Sequence, residues 1–398
     1  MKEGWQTKTL AEACQIKPPK SEARDKLSAS TLVSFLPMED MGIDEKFVQA
    51  TRTKPLSAVV GSYTYFADGD VLLAKITPCF ENGKLGIADG LTSGIGFGSS
   101  EYLVFRPDPT VSKEWLYYYL SRETFRVEGA ARMSGAVGHK RVSKEFIEGY
   151  PIPVPPLPEQ QRIVGLLDEA FAGLATAKAN VEKNLQNARA LFESHLQSVF
   201  TQRGSGRVEK RFDEVCAITS TLVDPRKKEF LDLTHVGAGN IESKTGVFVD
   251  LKTAREEGLI SGKFLFDESM VLYSKIRPYL MKVARPDFEG LCSADMYPLA
   301  PIQNVVTRDY LFHLLLSKHF TDYAIQGSAR AGMPKVNREH LFAFKVWIPN
   351  VKKQKQLAAN LDDLHEETQR LAHLYEQKLA ALEALKKSLL HQAFAGEL

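Results

Sequence analysis

Basic side chains recur at matched places along this chain. Lys75 stands in "DVLLAKITP" (70–78) and Lys275 in "MVLYSKIRP" (270–278), each followed by isoleucine and a later proline. Arg277 belongs to the second of these blocks. Arg141 in "MSGAVGHKRV" meets Lys335 in "SARAGMPKV", both with glycine upstream, and His139, Lys140 and Arg330 add further donors. Glycine lets a backbone approach a ligand closely, and lysine or arginine neutralises phosphate or reads guanine. These residues are therefore candidate DNA contacts. For any one of them a solvated cation at a strand end is an equal account, and only the recurrence in two copies favours binding.

Other chemistry is not evident. The sequence has no Walker-type phosphate loop, no HExxH and no GxSxG. The glycine-rich "GLTSGIGFGSS" (90–100) reads as a loop and not as a dinucleotide turn. The four cysteines, Cys14, Cys79, Cys216 and Cys292, form no CxxC pair, which argues against a disulfide framework or zinc site and fits a reducing cytoplasm. No catalytic residue, no metal and no cofactor of its own are expected.

The elements that position the basic residues are written twice. "EQQRIVGLLDEAFAGLATAKANVEKNLQNARALFESHLQSVF" matches "KQKQLAANLDDLHEETQRLAHLYEQKLAALEALKKSLLHQAF" at a shift of 194 (357 minus 163) without a gap. Gln160 meets Gln354, Leu167-Asp168 meets Leu361-Asp362, and Phe200 meets Phe394. Upstream, "WLYYYLSRETF" pairs with "YLFHLLLSKHF" at a nearly equal shift, and "LAEACQI" pairs with "FDEVCAI". The tract "PIPVPPLPEQQ" keeps only Pro349 in the second copy, so it is no docking peptide. It ends a globular part and starts a helix near Pro158.

Each helix carries apolar residues at alternating steps of three and four, which is heptad spacing. The first seam runs through Ile163, Leu167, Leu174, Leu185 and Leu191. The second runs through Leu357, Leu361, Leu364, Leu371, Leu379, Leu382 and Leu385. About 40 residues of helix span roughly 60 Å. Two such helices in one chain can satisfy each other as an antiparallel pair, giving an internal pseudo-twofold axis with a globular part at either end. The globular parts read as α+β: strands in "YFADGDVLLAKITP", "FLFDESMVLYSKIRP", "EYLVFRP" and "GVFVDL", helices in "KEWLYYYLSRETF" and "RDYLFHLLLSKHF". The expected modules are 1–152, a helical spacer 153–206, a second globular part 207–347 and a second helix 348–398.

Composition is that of an ordinary globular protein, 44% hydrophobic and 25% charged, with a net charge of only +2. Any nucleic-acid surface must come from local segregation of charge. No run of about 18 apolar residues exists and "MKEGWQTKTL" lacks a signal-peptide core, so no membrane association is expected.

The doubled pattern of globular unit and long helix, entered by "PIPVPPLPEQQRIVGLLDE" and "IPNVKKQKQLAANLDDL", resembles the DNA-specificity subunits of Type I restriction–modification systems over essentially the whole chain. The second entry departs from the first, with "VKKQKQL" in place of "LPEQQRI". The resemblance implies two target-recognition domains, each reading one half of a split asymmetric site in double-stranded DNA. It implies helices that space them and dock two methyltransferase (modification) subunits. Those partners would carry S-adenosylmethionine, and restriction subunits using ATP and Mg can join them. The chain itself would be non-catalytic. A coiled-coil scaffold or protein-recognition adaptor without nucleic acid is the alternative, and the low basic excess speaks for it.

Overall fold

The computed structural model describes residues 4–136, 138–203, 206–328 and 333–398. It divides into two units, Met1–Val181 with Lys378–Leu398, and Glu182–Gln377. The division cuts both long helices, Leu157–Thr201 and Val351–Ala395, near their middles. No helix among the described residues is long and apolar enough to cross a membrane.

The first unit holds an antiparallel sheet in the order Cys14–Ile16, Tyr102–Pro107, Val71–Ala74, Leu85–Ile87. Its second sheet runs Arg52–Pro55, Leu32–Leu36, Ile95–Gly98, Thr64–Ala67, with one parallel pair, Leu32–Leu36 beside Ile95–Gly98. The second unit repeats both. Its first sheet is Cys216–Ala217, Met296–Pro301, Val271–Ser274, Val283–Ala284. Its second is Lys252–Thr253, Thr234–Val236, Gly290–Cys292, Lys263–Phe266, with the parallel pair in the corresponding place and Leu222–Val223 added at the edge. Even the register recurs: Cys14 lies opposite Pro107 and Cys216 opposite Pro301. The fold is α+β, built twice.

Three expectations need correction. "GLTSGIGFGSS" is not a loop, because Ile95–Gly98 is a fully buried central strand. Its glycines hide the strand pattern. They are there because a Cβ at Gly96 would lie 2.2 Å from the Phe66 ring, and one at Gly98 2.4 Å from the Leu36 carbonyl. "GVFVDL" is not a strand. Only Phe248 makes a bridge, to Ile241, and Asp250 turns the chain with a φ of 51°. The proline tract begins inside a strand, Pro151–Val154, which among the described residues pairs only with Gln6–Thr9. A two-stranded ribbon leaves one side of each strand free, so prolines there remove no ladder bond.

Where the tract becomes helix, a buried glutamine fixes the corner. Gln160 accepts the Ser112 N–H (2.9 Å) and donates to the carbonyls of Thr110 (2.8 Å) and Pro155 (2.7 Å). Gln354 accepts the Thr307 N–H (2.9 Å) and donates to Val305 and Pro349 (both 2.8 Å). Ser112 and Thr307 are the N-caps of Lys113–Leu120 and Arg308–Leu316. One amide thus satisfies three backbone groups between two helix starts, which is why the residue recurs.

Within each unit the two helix segments run antiparallel. In the first, Arg162 donates to the Leu398 carbonyl (2.7 Å) and Lys178 pairs with Glu383 (2.9 Å). In the second, Arg189 pairs with Glu376 (2.8 Å) and the Phe192 ring lies 4.7 Å from His365. Ile163, Leu167 and Leu361 are buried; Leu174, Leu185, Leu357, Leu364, Leu371, Leu379 and Leu382 are half-buried. Leu191 and Leu385, one repeat apart, are not seam residues: they are 54% and 47% exposed. The apolar face steps by four from Ala188 to Phe192 and on to Leu196, Val199 and Phe200, which enter the core of the second unit. Leu390, Ala393 and Phe394 enter the core of the first. Phe394 packs 4.4 Å from Trp115, and Phe200 5.0 Å from Tyr310.

Candidate nucleic-acid interface

The recurring lysines end equivalent strands, Val71–Ala74 and Val271–Ser274. Beyond each, the chain meets the later basic segment in the same way. Val142 N–H donates to the Lys75 carbonyl (3.0 Å) and Val336 N–H to the Lys275 carbonyl (2.8 Å). Thr77 N–H donates to Lys140 and Arg277 N–H to Pro334, both at 2.9 Å. Ile76 bridges Arg141, and Ile276 bridges Lys335. The repeat in the sequence is therefore one backbone frame built twice.

Each frame closes on one carboxylate. Arg141 makes a two-bond contact with Glu101 (2.7 and 2.9 Å), and Lys75 lies 3.9 Å from the same group while donating to the Ser100 carbonyl (2.9 Å). Lys335 pairs with Asp295 (3.0 Å), and Lys275 lies 3.8 Å from it while donating to the Ala294 carbonyl. Ser99 and Ser293 accept the N–H groups of Glu101 and Asp295 at 3.2 and 3.3 Å. Glu101 and Asp295 are 194 residues apart (295 minus 101), the spacing of the helices. The acids thus repeat in the sequence as the cations do.

The inner and outer cations differ. Lys75 and Lys275 are largely enclosed, and burial pushes both amines below their usual range. For Lys75, Glu101 opposes this while Lys17 and Arg141 add to it; for Lys275, Lys335 adds, Asp295 opposes and Arg338 adds. Their ammonium groups hold the loop ends. Arg141 and Lys335 are each 47% exposed and can exchange a carboxylate for a phosphate or a base edge. His139, Lys140 and Arg277 are exposed as well. Arg330 lies outside the described residues.

In the first unit the frame opens on a cleft of about 740 Å³. Lys17, Lys20, Lys75, Arg141 and Lys144 line it with Tyr63, Tyr65 and Tyr102, and Glu148 is the one acid of its lining. Lys17 is exposed and holds a left-handed backbone, φ 60°, through its N–H bond to the Val104 carbonyl (2.8 Å). The net charge of the chain is nearly balanced, yet this cleft is not. Converging cations suit a polyanion, while Tyr65 and Tyr102 are buried and serve as the cleft's packed floor. Lys17 and Lys20 have no basic counterpart in the second copy, whereas Lys144 stands 194 residues before Arg338, in the same alignment that pairs Arg141 with Lys335.

Comparison with known proteins agrees with this architecture. The family model described as "Type I restriction modification DNA specificity domain" matches residues 2–186 and again 208–383. The chain is similar to the specificity subunit of the Type I restriction enzyme EcoAI of Escherichia coli, 32% identical over 250 residues, 59% of this chain and 40% of that protein. It is 35% identical to the EcoDI specificity subunit of Escherichia coli over 188 residues, 47% of this chain and 41% of that one. The matches thus span about two fifths of the length of these relatives. Among solved structures, the crystal structure of the HsdS subunit from Thermoanaerobacter tengcongensis is similar over 100% of this chain and 98% of its own, with a TM-score of 0.66 at 18% identity. A chain from a study of complex assembly and conformational transition of the type I R-M system matches over 100% and 99%, with a TM-score of 0.77 at 17% identity. With the domain matched twice and nearly end to end, the chain belongs to the Type I restriction–modification DNA specificity family.

Proposed function

We propose that this chain is the sequence-reading subunit of a Type I restriction–modification assembly, a DNA-binding protein that supplies an address and no reaction of its own. The observation that carries this is the doubled frame: Lys75, Glu101 and Arg141 in one unit, Lys275, Asp295 and Lys335 in the other, on sheets of the same topology. Each unit reads one half of a split site in double-stranded DNA. Because the loops around the frames differ, the two halves differ and the site is asymmetric. The long helices space the readers and offer docking surface to two methyltransferase subunits, which restriction subunits can join. S-adenosylmethionine, and ATP with Mg, belong to those partners. A cytoplasmic location goes with this function.

The test is to express the chain with a methyltransferase subunit of a Type I restriction–modification system, in a host without that modification, and to sequence the methylated positions. The expected outcome is a two-part motif with a non-specific gap, the halves about one helical turn apart. A continuous motif overturns the two-reader arrangement. Absence of salt-sensitive retention on duplex DNA by the complex would favour a protein-recognition adaptor instead.

A further inference from the structure

The frames are alike in the two units, but the turn that leaves each frame is not. In the second unit Pro278–Leu280 forms a single 3-10 turn bounded by two left-handed residues, Arg277 (φ 49°, ψ 60°) and Met281 (φ 49°, ψ 48°). Left-handed backbone is cheapest for glycine, and a large side chain there is strained. The turn is nevertheless tightly held. Pro278 is buried, Arg277 N–H bonds the Pro334 carbonyl (2.9 Å), Met281 N–H bonds the Pro278 carbonyl (3.0 Å) and Lys244 N–H bonds the Met281 carbonyl (3.2 Å).

What the turn presents is left without an internal partner. The Arg277 side chain is exposed, Tyr279 is 51% exposed, and neither makes a side-chain hydrogen bond, ion pair or ring contact among the described residues. They stand beside the Lys275–Lys335 frame. The first unit uses the same place differently. Thr77 donates its hydroxyl to Glu81 (2.8 Å), and Cys79 is half-buried. An arginine kept where glycine would fit with less strain is kept for its side chain, and a tyrosine raised on a pinned turn loses little freedom on contact.

We infer that Arg277 and Tyr279 determine the specificity of the second half-site, with Arg277 taking a guanine through its two parallel N–H groups and Tyr279 packing on the edge of the neighbouring base pair. The inference rests on the proposed DNA-reading function. Guanine is the partner that matches the planar fork of arginine in the major groove.

The experiment uses the full chain assembled with its methyltransferase, read by the methylated motif and by affinities for duplexes varied one position at a time. Arg277→Ala should relax a single G·C position of the second half-site by about 5- to 150-fold. Arg277→Gly should do the same with the left-handed backbone preserved, which separates the side chain from the integrity of the turn. Tyr279→Ala should relax the adjoining position, and the first half-site should stay as in the wild type. Unchanged discrimination in the Arg277→Gly and Tyr279→Ala complexes, while the two-part motif persists, overturns this inference alone. So does a uniform loss across all sequences, which would make Arg277 a phosphate contact. A wild-type complex with no sequence preference overturns it together with the functional reading.

Discussion

Asp168 and Asp362 occupy the same position in the two long helices and do the same work with different partners. Asp362 accepts two hydrogen bonds from Arg285 (2.8 and 3.0 Å) and one from His313 (2.8 Å). Asp168 accepts two from Lys46 (2.6 and 2.8 Å) and one from the Tyr118 hydroxyl. His313 and Tyr118 hold corresponding places on matched helices, 195 residues apart (313 minus 118). The cations come from unrelated segments. Each aspartate clamps its helix to its globular unit. Asp362→Asn should lower the stability of the second unit by about 2–3 kcal/mol, and Asp168→Asn that of the first by about 1–2 kcal/mol, since Asp168 meets a point-like ammonium and a neutral hydroxyl where Asp362 meets the planar two-bond fork of Arg285. Hydrogen exchange resolved along the chain checks both; a change spread evenly over the two units would dismiss the clamps as local.

The clamps should respond differently to acid. Burial pulls the His313 imidazole below its ordinary pKa despite Asp362, and its Nδ1 has no partner among the described residues. For Asp362 burial alone would raise the pKa, but the bonds from His313 and Arg285 hold it well below the usual range. His235, His319 and His365, also in the second unit, are lowered by burial. A lowered histidine takes up its proton more readily when unfolded, so its share of stability is present above about pH 6.5 and is lost as pH falls below that. Tyr118, raised by burial and by its bond to Asp168, does not titrate there. Between pH 7.5 and 5.5 the second unit should therefore weaken before the first. Equal weakening, or the reverse order, would contradict this.

The corner glutamines admit a sharper substitution. Gln354→Ala leaves the Thr307 N–H and the Val305 and Pro349 carbonyls without their partner, which should cost about 2–3 kcal/mol. Gln354→Glu should be worse, because it sets a buried carboxylate against two carbonyl oxygens. Gln160 should behave alike in the first unit. Denaturant titration gives the numbers, and a Gln354→Glu protein as stable as wild type would mean the amide donates nothing of consequence.

At the interface, Arg141→Ala should weaken the first half-site alone and Lys335→Ala the second alone. Lys75→Ala and Lys275→Ala should act on the same halves through the loops they hold. Glu101→Gln releases Arg141, so non-specific affinity should rise and the plot of log affinity against log salt should steepen by up to about one unit. An unchanged salt slope would show that Arg141 meets no phosphate when released.

A fragment from Arg207 to Leu398 lacks Leu196, Val199 and Phe200 of the second unit's core but carries their repeat equivalents Leu390, Ala393 and Phe394. Two copies can exchange these ends across antiparallel helices, so the fragment should sediment as a twofold dimer. A folded monomer at micromolar concentration would refute the exchange.

The repeat and both long helices were legible because a constant shift of 194 carries them, and the paired lysines because the blocks around Lys75 and Lys275 match at a shift of 200 (275 minus 75). Much of what was not legible lacked either periodicity or a counterpart. Ile95–Gly98 is a strand whose glycines answer to Phe66 and Leu36, residues distant in sequence. Lys46 and Arg285 serve equivalent aspartates from places that do not align, so no comparison of the copies could find them. Leu191 and Leu385 fit the heptad rule, but the helix ends turn toward the globular cores and the favoured face moves one residue on. Lys17 owes its position to a backbone twist that its residue type does not announce.

The placement of Phe394 against Trp115 also bears on the order of synthesis. The residues of the first unit's sheets leave the ribosome early, yet the pocket beside Trp115 and Tyr119 stays open until Leu390, Ala393 and Phe394 have been made. A nascent chain therefore exposes an aromatic hollow throughout translation of the second unit. A message broken late in its length would yield a product whose earliest part is unfinished and open to proteases.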